Sequence, residues 1–226
     1  MENSLYLKTL TGKVFKIITG LFIISLGNVL MIYANLGLNS WGILHQGISL
    51  QTPLTFGQAS QLLGLFIIVI CSTLGSFPGI GTILNMYFVG AFTDLLKDSH
   101  LFTTPRTIYM QFVMLIFAIL IMDIGMYLYL KEKIGAGPKD GLMLILTKRC
   151  NLDMGLIRTI MEVTAVVIGF LLGGKFGIGT IIAALALGPI LRYLFKIFGY
   201  DPKKVKHEDL LETIKQIKSN KIDMGV

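Results

Sequence analysis

Apolar and polar positions fall into long blocks along this chain. Apolar runs near 20 residues alternate with short links that carry glycine, proline or lysine. A helix rises 1.5 Å per residue, so about 20 apolar residues cross a hydrocarbon core of roughly 30 Å. The runs predict full spans near 14–34, 57–75, 80–96, 107–130, 154–173 and 178–198. Two further apolar segments, near 39–50 and 138–149, are too short to cross. The apolar part of the second covers about a third of the core. In lipid a helix must satisfy its own backbone groups. Each short segment is therefore a re-entrant half-helix packed within protein, or a short interfacial helix.

The blocks recur at a constant offset of 98 residues. Gly27 pairs with Gly125, Gly37 with Gly135 and Gly57 with Gly155. The run Gly79-Ile80-Gly81-Thr82-Ile83 returns unchanged as Gly177-Ile178-Gly179-Thr180-Ile181, and Gly90 pairs with Gly188. The fold expected is an all-α polytopic membrane protein of two tandem repeats. Each repeat has three full transmembrane helices plus one short or re-entrant helix. The divisions are an N-terminal cytoplasmic stretch 1–13, repeats over 14–98 and 107–198, and a cytoplasmic tail 199–226 with an amphipathic helix. In that tail Leu210, Leu211, Ile214 and Ile217 share one helical face behind Lys203, Lys204 and Lys206.

Composition agrees with a lipid solvent. Of 226 residues 54% are hydrophobic and 15% charged, and the mean hydropathy is +0.73. A soluble domain usually carries about 25% charged residues. The net charge of +7 gathers at the ends and in links, as cytoplasmic loops require, and forms no nucleic-acid patch. Lysine and arginine in the links slightly favour an inverted over a parallel pair of repeats, and both arrangements put the two termini in the cytoplasm. The first apolar run is a full span with no small-residue cleavage site after it, so it reads as a retained helix. Cys71 and Cys150 have no disulfide or metal spacing, and no catalytic motif is present. Neither an enzyme nor a cofactor or metal site is expected.

Chemistry concentrates at a few positions. In Gly135-Ala136-Gly137-Pro138-Lys139-Asp140-Gly141 two glycines relax the backbone, and Pro138 suits a first helical turn. The helix would aim free N–H groups and its positive dipole end at an anion, and Lys139 adds a charge. The corresponding turn in the first repeat is Gly37-Leu38-Asn39-Ser40-Trp41, followed by His45 and Gln46. Arg158 and Glu162 stand four apart on one helical face, and Asp123 lies deep in a span. Ionisable groups at that depth face a cavity, a partner or an ion path. The substrate-binding set is therefore Gly37, Asn39, Trp41, His45, Gln46, Gly135, Gly137, Lys139, Asp140, Arg158 and Glu162, with Asp123 and Glu162 the groups that exchange a coupling proton.

Several motifs together resemble the YczE/YitT-type family of bacterial integral membrane proteins, nearest its YczE branch. They are Leu44-His45-Gln46-Gly47-Ile48-Ser49, Pro78-Gly79-Ile80-Gly81-Thr82, and Gly135-Ala136-Gly137-Pro138-Lys139-Asp140-Gly141-Leu142-Met143. Arg158 with Glu162, Leu172-Gly173-Gly174, Gly177-Ile178-Gly179-Thr180 and Gly188-Pro189 extend the likeness across roughly 14–198. At Asn39-Ser40-Trp41-Gly42 the chain departs from the family's acidic–proline–tryptophan–acidic pattern, so position 42 has no carboxylate. The resemblance implies the bacterial plasma membrane and a duplicated fold, and no particular substrate.

Duplicated membrane halves with glycine-broken segments are a plan of transporters. The leading expectation is a small-solute permease with its site between the repeats, taking an anion or a zwitterion. The alternative is a non-transporting membrane partner or regulator of another membrane or biosynthetic complex, which needs no central cavity. Expected partners are the lipid bilayer and a small solute. A homo-oligomer is left open, and nucleic acid is excluded.

Overall fold

The computed structural model describes residues 2–200. Among these are eight helices and no strand: α1 Glu2–Ala34, α2 Ser40–Gln51, α3 Phe56–Thr73, α4 Ile80–Asp98, α5 Ile108–Leu130, α6 Pro138–Cys150, α7 Met154–Leu171 and α8 Ile178–Ile197. The amphipathic helix expected in the tail lies outside the described residues.

Five helices are long and apolar enough to cross a membrane: the Leu10–Ala34 part of α1, then α3, α5, α7 and α8. The sixth expected span, α4, has 19 residues and is less apolar than these five. Its polar groups serve a neighbour. Asp94 Oδ1 accepts from the Gly57 N–H at 2.8 Å, and Asp94 Oδ2 accepts from the Thr55 hydroxyl. A carboxylate thus sits on the N-terminus of α3, where orphan N–H groups and the helix dipole favour negative charge. Thr55 and Gln58 complete that terminus as a reciprocal capping box, each accepting from the other's backbone N–H at 3.0 Å.

Helices α1 and α5 cross backbone to backbone. A Cβ on Gly20 would stand 2.9 Å from the Gly125 carbonyl oxygen, and one on Gly125 would stand 2.7 Å from that of Gly20. Lipid supplies no hydrophobic drive between helices, so close packing through small residues holds them. Met31, Ala34, Leu115, Ala118 and Ile119 fill the interior beside this crossing. Further packing runs within each half, α1 on α4, α3 on α4 and α5 on α8, and also across the chain. Helix α2 lies on α7 and α3 lies on α6. At the α2–α7 contact a Cβ on Gly47 would come 2.6 Å from the Gly169 carbonyl oxygen.

The turns before the short helices are pinned in the same crosswise manner. Gly37 has φ +117°, a region open mainly to glycine, and a Cβ there would come within 2.6 Å of Thr180 Oγ1. The Gly179 N–H donates to the Leu36 carbonyl at 2.8 Å. Gly135, φ +132°, sits likewise against Thr82, and the Gly81 N–H donates to the Ile134 carbonyl at 2.7 Å. The Thr82 hydroxyl donates to the Ala136 carbonyl. Each Gly-Ile-Gly-Thr run therefore receives the turn that precedes the far short helix.

Candidate functional site

The two short helices begin at one cavity of about 130 Å³. Helix α2 brings Trp41, Gly42 and His45, with Asn39 at its N-cap. Helix α6 brings Pro138, Lys139 and Asp140, with Gly137 at its N-cap. Residues of α1, α3, α4 and α5 close the walls, among them Asn28, Ser60, Asn85 and Tyr129. Met86, Met122 and Met126 give the walls an apolar, adaptable surface.

The two helix starts are finished differently. The Asn39 side chain accepts from the Gly42 N–H at 2.8 Å, which satisfies the first turn of α2 from within. Its amide nitrogen donates weakly to Asn28 Oδ1 at 3.5 Å. Helix α6 has glycine at its N-cap and no side-chain cap bond, with Pro138 in its first turn. Its positive dipole end therefore faces the cavity together with the Lys139 ammonium and the Asp140 carboxylate. Beside these lies Tyr129, 1% exposed, whose hydroxyl has no hydrogen-bond partner among the described residues. Buried hydroxyls are seldom left so.

Six of the expected residues meet here: Asn39, Trp41, His45, Gly137, Lys139 and Asp140. The His45 ring also packs edge-on against Phe56 at 5.6 Å. Arg158 and Glu162 line an adjoining crevice of about 20 Å³ that shares Trp41, Lys139 and Asp140 with the cavity. They are bonded to each other at 3.1 Å on a largely open face. The other expected residues lie elsewhere. Gly37 and Gly135 are occupied by the crosswise turn packing described above. Gln46 is committed to the α7–α8 turn, where its side-chain oxygen accepts from the Lys175 N–H at 2.7 Å. Asp123 is buried in α5, outside the cavity lining, and its Oδ2 has no hydrogen-bond partner among the described residues. Among the described residues no three His, Cys, Asp or Glu side chains gather to hold a metal.

Asn28, Asn85 and Tyr129 are the lining groups that sequence reading passed over. A signal existed for the first two: asparagine inside an otherwise apolar helix needs a polar surface to face. Nothing in the local pattern marks Tyr129, since tyrosines are ordinary near the ends of spans.

Several long apolar helices, packed through small residues around a cavity with a few polar groups, define a multi-pass helical membrane protein. The chain belongs to the family of unknown function DUF6198, which matches residues 11–196. It is 31% identical over 178 residues to the uncharacterized membrane protein YczE of Bacillus subtilis (strain 168), across 77% of this chain and 81% of that protein. It is 30% identical over 182 residues to an uncharacterized protein of Haemophilus influenzae, across 80% of this chain and 83% of that one. No solved structure matches the chain.

Proposed function

We propose that this protein is a small-solute permease of the bacterial plasma membrane, with the cavity between α2 and α6 as its substrate site. The chain is read as two copies of one four-helix unit, 14–98 and 107–198, with both termini in the cytoplasm. Three observations support the duplication. Helix α3 and helix α7 have the same bounds at an offset of 98 residues. Left-handed backbone falls at matching positions, Asn35 with Lys133 and Gly75 with Gly173. The Gly81 bond to Ile134 has its counterpart in the Gly179 bond to Leu36.

The observation that carries the transport reading is the meeting of two short-helix N-termini, one from each half, at a single, mainly apolar cavity that holds a few polar and charged groups. Broken or short helices whose ends face a central site are how transporters hold solutes between repeats. A purely scaffolding partner has no use for such a cavity. Purified protein in liposomes, screened with small anions and amino acids with and without a pH gradient, tests the reading. Saturable uptake absent from empty liposomes supports it. A folded protein that moves none of these solutes overturns it.

A further inference from the structure

Resting on the permease reading of the same cavity, we propose that its solute is a small zwitterion, an ammonium carboxylate of about six heavy atoms. The carboxylate sits at the start of α6 with Lys139 and Tyr129, and the ammonium sits against Asp140 and Asn85.

Charge balance selects the class. Lys139 and Asp140 are the lysine and the acidic residue of the lining, and they cancel. Arg158 adds nothing to the cavity, because it is bonded to Glu162 in the adjoining crevice. Uncompensated charge in a low-dielectric interior is costly. A net anion would leave such a charge, whereas a zwitterion leaves the loaded site neutral.

Both poles find partners around the start of α6. The start of α6 lacks a side-chain cap and carries Lys139 beside it. Among the described residues the buried Tyr129 hydroxyl lacks an acceptor, and a carboxylate oxygen supplies one. Beside Gly137 two acceptors converge. A Cβ built on Gly137 would stand 3.2 Å from Asp140 Oδ2 and 3.8 Å from Asn85 Oδ1. Those oxygens suit the three donors of an ammonium group. Size gives the limit. The cavity of about 130 Å³ is slightly smaller than the roughly 150 Å³ void that accepts benzene, a six-carbon ring.

The test uses the full chain in detergent and in liposomes, with L-alanine and L-lactate as probes. These have equal numbers of heavy atoms and differ by ammonium against hydroxyl. Trp41 is the single tryptophan of the chain and forms part of the wall, so its fluorescence reports occupancy. Expected is saturable binding and uptake of alanine with at least tenfold preference over lactate. Asp140→Asn should weaken alanine at least tenfold and erase the preference. Gly137→Ala should abolish binding while the thermal midpoint holds, since its backbone (φ −59°) accepts any residue and the methyl enters the cavity. Should Asp140→Asn misfold, the alanine–lactate comparison on the parent protein and Gly137→Ala still decide. Lactate preferred over alanine would overturn the zwitterion and leave the permease standing. Alanine bound but never transported would uphold the site and overturn the permease. Neither probe bound by folded protein overturns the zwitterion outright.

Discussion

Arg158 and Glu162 hold one another across a single turn of α7, Nε to Oε1 at 3.1 Å, with the arginine side chain 58% exposed. The pair borders the cavity without entering it, since it shares Trp41, Lys139 and Asp140 through a crevice of about 20 Å³. A cation already matched on the open face of a helix is a poor solute ligand. The separation from Lys139 can be measured. Exposed pairs at this spacing contribute about 0.3–0.5 kcal/mol. Arg158→Ala is therefore expected to change solute binding, read by Trp41 fluorescence, less than about threefold, and Lys139→Ala at least tenfold. Equal losses would return Arg158 to the site.

Tyr129 gives a prediction of opposite sign for stability and binding. Among the described residues its hydroxyl is buried without a partner, a condition that costs about 1–3 kcal/mol. Tyr129→Phe should raise the thermal midpoint of the solute-free protein or leave it unchanged, and should weaken the solute. A clear drop in midpoint without solute would mean that the hydroxyl has a protein partner.

The crosswise turns set a contrast between glycines. Gly37→Ala must fit a Cβ 2.6 Å from Thr180 Oγ1 on left-handed backbone. Overpacking costs about 1–3 kcal/mol, and left-handed backbone about 1–2 kcal/mol more. Gly141 in α6 has nothing within 4 Å of a built Cβ. Gly141→Ala should gain about 0.5–1 kcal/mol of helix stability. Size-exclusion profiles after graded heating would order the two on either side of the parent protein.

Asp94 is expected to be structural. Asp94→Ala removes the acceptor of the Gly57 N–H and of the Thr55 hydroxyl. The cost expected is about 1–3 kcal/mol for groups left unsatisfied. Solute affinity, corrected for the folded fraction, should stay within about twofold. A binding defect in well-folded Asp94→Ala would tie Asp94 to the site by another route.

The two cysteines report orientation. Cys150 ends α6 and is exposed, whereas Cys71 is buried in α3. With Lys148 and Arg149 just before it, Cys150 is expected on the cytoplasmic side. In Cys71→Ala a membrane-impermeant maleimide should label inverted vesicles and spare intact cells. The reverse labelling would invert the assigned orientation.

Helix existence was legible because lipid imposes length and apolarity together. The start of α6 could be read from Pro138 within a glycine turn, and the end of α5 from Lys131. The α4 span was harder to read, because its composition is less apolar than that of the other long helices. Its apolar core reads as a span, while Asp94 belongs to the terminus of α3, a tertiary fact. The site was half legible for a related reason. Lys139, Trp41 and Asn39 adjoin the turns that gave them away, and they do line the cavity. Gly37 and Gln46 adjoin the same turns but spend their geometry on α8 and on the turn before it. Which use a turn residue serves depends on what docks there, and a single sequence does not record docking. Tyr129 came to the cavity through the α1–α5 crossing, which no local pattern announces.

The crosswise turns also impose an order of assembly. When the ribosome has released only the first four helices, the Gly81 N–H and the Thr82 hydroxyl still await the carbonyls of Ile134 and Ala136. Leu36 meanwhile offers an acceptor to a glycine, Gly179, that does not yet exist. Unmet donors and acceptors are expensive in hydrocarbon. The nascent chain must shelter them, against water, lipid headgroups or the insertion machinery, until its last helix arrives. Truncation anywhere before α8 should therefore yield a substrate for membrane proteases rather than a smaller working protein.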